Sequence, residues 1–205
     1  VTLLKSLPPI VETDRIRDIE FSHDGRFLLF VAGDNGYVWD IAADQMLHKL
    51  QAIQNKAFEK EILKIQSDGL TQTANIQWFH VKNRFAPMGV KMIGVFCDAI
   101  RNSKDVDPHR YLAGFQIIPN KIPGFGAIEF NEVKISMRVS TQIEAGIRAD
   151  KKMGLNILLP EATNKLGGFS DACHSLTAAT TVAIGKEEQL IEEMEKILES
   201  DNQCH

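Results

Sequence analysis

The residues best suited to chemistry are concentrated in LGGFSDACHSLTAATTVAIGKEE, from Leu166 to Glu188. Gly167 and Gly168 permit backbone conformations closed to other residues, and the small side chains at Ala172, Ser175, Ala178 and Ala179 let another chain approach. N–H groups exposed at such a turn form a concave anion nest, to which His174 and Ser175 would add hydrogen bonds. The same spacing also fits a tight turn whose histidine satisfies only local backbone groups. A second set lies in VKISMRV, residues 133–139. In a strand, Ser136 and Arg138 share one face while Ile135, Met137 and Val139 share the other. A guanidinium fork there suits a phosphate, although an outward arginine is also at home in solvent. The third set is IQWFHVKNRF, where His80, Lys82 and Arg84 alternate with Trp78, Phe79 and Phe85, and Lys91 follows. Cations interleaved with aromatics can stack bases and touch phosphates, but Trp78 and Phe79 are also ordinary core residues.

These side chains need a scaffold. From Gly69 onward, short apolar bursts such as GFQIIP, AIEF, VKISMRV and AATTVAIG alternate with helical stretches, including one near Asn156 to Lys165 and a last helix from Lys186. That last helix gathers Leu190, Ile191, Met194, Ile197 and Leu198 on one face, with its glutamates largely elsewhere. The fold class expected is α/β (α+β), a mixed β-sheet flanked by helices. IPNKIPGFGAI reads as a loop, because two prolines and two glycines leave little for regular structure.

Ahead of this lies a different region. Residues 15–41 show apolar bursts at Ile16–Phe21, Phe27–Ala32 and Tyr37–Ile41, broken by Asp-Gly and Asn-Gly, which is hairpin punctuation. The string resembles one blade of a WD-repeat propeller, but no second copy follows, and a propeller takes about four or more blades. From Ala42 to Gln66, Met46, Leu47, Leu50, Ile53, Phe58, Ile62 and Ile65 keep helical spacing up to Asp68-Gly69. The organisation expected is a β-rich N-terminal hairpin extension over 1–48, a linking helix over 49–70 and a main domain over 71–205.

Charge is distributed unevenly. Residues 1–70 carry eight Lys/Arg against eleven Asp/Glu, residues 71–185 thirteen against nine, and the last twenty two against seven. A mildly basic middle between acidic ends is where a phosphate site belongs. Cys97, Cys173 and Cys204 are odd in number and lack CxxC spacing, which argues for reduced thiols over a disulfide framework or zinc site. No apolar run reaches the length of about 18 residues that a bilayer requires, and no signal-peptide pattern opens the sequence. A cytoplasmic protein without a membrane partner and without a cofactor is expected.

Taken in order, GLTQTANIQWFHVKNRFAPMGVKMIGVFC, VKISMRV and GGFSDACHSLTAATTVAIGKEEQLIEEMEKIL resemble the DHH-associated domain of archaeal RecJ-like nucleases, over residues 50 to 200. In that family a strand ending in Ser-x-Arg precedes a glycine-rich loop closed by histidine, a small-residue strand and a GKEE helix. The resemblance implies a nucleic-acid-binding lobe in which His174, with Gly167 and Gly168, and Arg138, with Ser136, hold the phosphate backbone. Here Ser170, Asp171, Ala172 and Cys173 stand where glycines precede the family's histidine, and Asp171 adds a charge of the wrong sign for phosphate. The first 70 residues hold neither the Asp-His-His nor the Asp-x-Asp motif of the catalytic lobe, and an Asp-Gly turn explains His23 and Asp24 more simply than metal binding. The expected function is therefore that of a noncatalytic DNA replication or repair subunit. It would bind single-stranded DNA weakly and associate with the GINS complex, and through it with the MCM helicase. One alternative is a fragment or subunit of a single-strand-specific 5′–3′ exonuclease. Another is a tRNA-related module, since synthetase editing proteins carry a similar domain.

Overall fold

The structure is a computed structural model that describes residues 16–21, 26–32, 35–122, 126–127 and 129–204. Two compact units divide the chain, residues 1–56 and 57–205. The first holds an antiparallel meander of β1 (Ile16–Phe21), β2 (Phe27–Ala32) and β3 (Asn35–Asp40). β3 takes in Asn35 and Gly36, which the sequence pattern assigns to a turn, because Ala32 already pairs with Asn35. The Arg26 guanidinium grips Asp40 through Nε at 3.2 Å and Nη2 at 2.9 Å. His23 and Asp24 lie outside the described residues. Helix α1 (Ile41–Asp68) begins in this unit and ends in the second, where Gly69, at φ +76°, donates its N–H to Ile65 O and stops it.

The second unit follows as β4 (Thr71–Gln72), β5 (Ile76–His80), α2 (Met92–Ile100), β6 (Tyr111–Ile117), β7 (Lys121–Ile122), β8 (Gly126–Ala127), β9 (Glu132–Arg138), α3 (Thr141–Arg148), α4 (Leu155–Lys165), β10 (Phe169–Cys173), β11 (Thr177–Ala183) and α5 (Glu187–Cys204). Six of its strands form one sheet in the order β10-β11-β9-β6-β5-β4, with β5 and β6 parallel and the other pairs antiparallel. This is the mixed sheet with helices that the sequence predicts. Alternation along each strand assigns its two faces. Tyr111, Phe115, Ile135 and Met137 point toward Leu155, Leu158 and Leu159 of α4 and Leu190 and Met194 of α5. Each fully buried Leu contributes roughly 1.5–3 kcal/mol. On the opposite face, Phe79 and Leu112 pack with Ile93, Phe96, Cys97 and Ile100 of α2 and Ile65 of α1.

Four segments differ from the sequence pattern or go beyond it. GVKMIGVFCDAI, an apolar run to which the sequence assigns neither strand nor helix, contains a helix, because Ile93, Phe96, Cys97 and Ile100 repeat at helical spacing and all are buried. AIEF is not a strand: Ala127 ends the two-residue β8, Ile128 lies outside the described residues, and Glu129 and Phe130 are irregular. α3 and β10 carry no clear apolar period. α3 buries only Ile143, and β10 is an edge strand whose Phe169 is 67% exposed.

Candidate nucleic-acid interface

The register of the sheet brings two of the three sets together. Thr177 pairs with Arg138, and Cys173 pairs with Ala178, so the turn at His174–Leu176 lies at the end of the sheet where β9 finishes. His174 and Ser175 are exposed there, and the His174 N–H donates to Thr177 O at 2.7 Å. Arg138 projects from β9 on the α2 face. Its Nη1 donates to Ser136 Oγ at 2.9 Å and to Met137 O at 2.8 Å, and its Nε lies 2.9 Å from Asp98 Oδ2. Gly94 makes this possible, since a Cβ there would sit 3.0 Å from both Arg138 Nη2 and Ser136 Oγ. The Arg138 side chain is only 15% exposed, whereas Asp98 is 49% exposed. The guanidinium is thus held in place by a partner that water already reaches.

Gly167 and Gly168 occupy the other end of β10. Five strand residues separate them from His174, roughly 17 Å at about 3.3 Å per residue, so the single nest expected from sequence is divided. Both glycines cap α4. Gly167, at φ +68°, donates its N–H to Asn164 O, and Gly168 donates to Thr163 O. A Cβ on Gly168 would lie 2.4 Å from Thr181 O, so this position is a close approach of two chains. Asp171 sits at a bulge of β10 and pairs with Lys134 Nζ at 2.5 Å. The Lys134 ammonium holds its carboxyl below the usual aspartate range, so its charge is already matched within the fold.

The third set is distributed around β5. Trp78 meets Phe115 edge-on at 5.6 Å between centroids, and Phe79 is buried against Phe96. His80 accepts the Lys82 N–H through Nδ1 at 2.9 Å, and its Nε2 lies 3.4 Å from Glu187 Oε1. Burial lowers its pKa below the ordinary histidine value, against the pull of Glu187. Arg84 grips Glu61 of α1 through Nε at 2.6 Å and Nη2 at 2.8 Å, and Nη2 also donates to His80 O. Lys82 is exposed, at φ +50°. The contacts of His80 and Arg84 therefore tie α5 and α1 to the end of β5.

The sequence left two features unread. Glu195 of α5 accepts hydrogen bonds from Thr73 Oγ1, the N–H groups of Asn75 and Ile76, and Asn75 Nδ2. Among charges on an acidic helix surface nothing marks it. Ser175 and Leu176 also line a cavity between the α3–α4 connection and the end of α5. Cys97 and Cys173 are free thiols. Burial pushes Cys97 up to about 12 and raises Cys173 as well, so neither is an activated nucleophile. Among the described residues no group of three or more His, Cys, Asp or Glu could hold a metal ion, and no helix is long and apolar enough to cross a membrane.

No protein-family model matches the chain. No curated protein matches it either. Among solved structures, the chain is similar to the C-Ala domain of alanyl-tRNA synthetase from Aquifex aeolicus, at 11% identity and a TM-score of 0.43, over 63% of this chain and 96% of that one. It is also similar to the DHH domain of a member of a family of ribosomal proteins, at 13% identity and a TM-score of 0.43, over 75% of this chain. It spans 32% of the length of that second protein.

Proposed function

We propose that this chain is a noncatalytic nucleic-acid-binding subunit that holds a single strand over the end of the sheet where β9 finishes beside the His174–Leu176 turn. The observation that carries the proposal is the pairing of Thr177 with Arg138, which joins two segments far apart in sequence at one end of the sheet. Arg138 is aimed by Ser136 and the Met137 carbonyl, so little side-chain entropy remains to be lost on binding. A phosphate would replace the half-exposed Asp98 carboxylate as its partner, and His174 would donate from the turn. On the sequence resemblance to archaeal RecJ-like proteins, we extend this to a role in DNA replication or repair, with the GINS complex as the contact and the MCM helicase reached through it.

Fluorescence anisotropy with a labelled single strand tests the binding step. Arg138→Ala and His174→Ala should each weaken affinity and flatten its dependence on salt, by about 0.7 in logarithmic slope for each phosphate no longer engaged. Asp98→Asn should do the reverse by freeing the guanidinium. Unchanged affinity and slope in all three variants would remove the assignment.

A further inference from the structure

The open cavity beside the His174–Ser175 turn has a volume of about 720 Å³, within the size range of small-molecule sites. Its cations come from one short segment, Arg148, Lys151 and Lys152. Arg148 is engaged with Glu144, whereas Lys151 and Lys152 have no carboxylate partner among the described residues. The segment is fixed in place. The Asp150 N–H donates to Ile147 O and the Lys151 N–H to Gly146 O, closing α3 with Asp150 at φ +52°. The Lys152 stem packs against Gly146, its Nζ lies 6.0 Å above the Tyr111 ring, and the Tyr111 hydroxyl donates to Met153 O. Across the cavity, the Leu155 N–H donates to Ser175 O and ties α4 to the turn.

The lining is mixed in character. Lys151 and Lys152, neither of them in an ion pair among the described residues, line the same space as Asp150 and Asp201, with Ile157 and Leu176 supplying apolar surface. A bare anion would meet the carboxylates unfavourably, and a bare cation would meet the lysines. A ligand that carries a negative end, hydrogen-bond donors and a flat apolar body satisfies all three kinds of group. We infer that the cavity binds a nucleoside monophosphate, its phosphate on Lys151 and Lys152, its hydroxyl or amino donors on Asp150 and Asp201, and its base against Ile157 and Leu176. The proposal rests on the reading of the domain as a nucleic-acid binder for the class of its ligand. The nucleotide comes either free or as the phosphorylated terminus of a strand.

Titration of the full chain with adenosine monophosphate, adenosine and inorganic phosphate, followed by amide chemical shifts, tests it. The monophosphate should bind more tightly than adenosine or phosphate and shift the amides of Lys151, Lys152, Gly154 and Ser175. The double variant Lys151→Gln/Lys152→Gln should weaken it roughly tenfold or more. Comparison of a strand bearing a terminal phosphate with the same strand lacking one distinguishes the two sources. Absence of monophosphate binding, equal binding by the double variant, or shifts confined to other residues would overturn the cavity assignment. Arg138-dependent strand binding without monophosphate binding would sink this inference alone, and the opposite pattern would sink the proposed strand path alone.

Discussion

Removing the Glu195 carboxylate should destabilise the second unit more than any other change on the surface of α5. Its Oε1 accepts from Thr73 Oγ1 at 2.5 Å, Asn75 N at 2.8 Å and Ile76 N at 3.1 Å, and its Oε2 accepts from Asn75 Nδ2 at 2.7 Å. Two of these donors are backbone groups at the β4–β5 turn, so one side chain fastens the edge of the sheet to the last helix. Hydrogen bonds to a charged acceptor contribute about 1.5–3 kcal/mol each when well shielded, but this site is only part-buried, and water would recover some of each bond. About 3 kcal/mol is then a reasonable total for Glu195→Ala. Glu195→Gln keeps an oxygen for the three donors on Oε1 and loses the charge and the acceptor for Asn75 Nδ2, together about 1 kcal/mol. A unit of this size shifts by roughly 2–4 °C per kcal/mol. The thermal unfolding midpoint, followed by circular dichroism, should therefore drop by about 6–12 °C for Glu195→Ala and about 2–4 °C for Glu195→Gln. A fall of less than about 1 °C in the alanine variant would show that these bonds are no better than those the donors make to water.

His80 sets an acid limit on stability. Its folded pKa is depressed by burial, so the folded chain binds this proton less readily than the unfolded chain. The stabilisation is complete above the unfolded value of about 6.5 and is lost as pH falls through the folded one. His80→Asn, which can still accept the Lys82 N–H, should flatten the loss of urea resistance between about pH 7 and about pH 5, and an unchanged acid limb would contradict this. Gly114→Ala would place a Cβ 2.6 Å from Cys97 Sγ and 2.9 Å from both Ile93 Cδ1 and Phe79 Cζ. Overpacking of this kind should cost about 1–3 kcal/mol, measurable as a lower urea midpoint. Asp150→Gly relieves a left-handed backbone at the end of α3 and should raise the thermal unfolding midpoint; a lower midpoint would contradict this.

The mixed sheet and the flanking helices were legible because the apolar residues of β5, β6, β9 and β11 form bursts of strand length, and those of α5 repeat at helical spacing. α2 was obscured by a continuous apolar run, MIGVF, in which strand and helix periods cannot be separated. β10 was obscured because an edge strand has little to bury. At the candidate site, Ser136 and Arg138 share a face as their alternation predicts, and His174 and Ser175 lie at an exposed turn. The division between Gly167–Gly168 and His174 was not legible, because FSDAC carries no strand pattern of its own and only its pairing with β11 reveals it. Nor could the sequence show that Asp98 and Glu61 hold Arg138 and Arg84, since both partners come from distant helices.

The most direct measurement is a map of backbone amide shifts on adding a short oligothymidylate to the labelled full chain. Binding over the Arg138 end of the sheet predicts changes concentrated at Arg138 to Ser140 and Cys173 to Thr177, suppressed by added salt and by Arg138→Ala. Changes confined to Gly167, Gly168 and the end of β5, or none at saturating oligonucleotide, would contradict it.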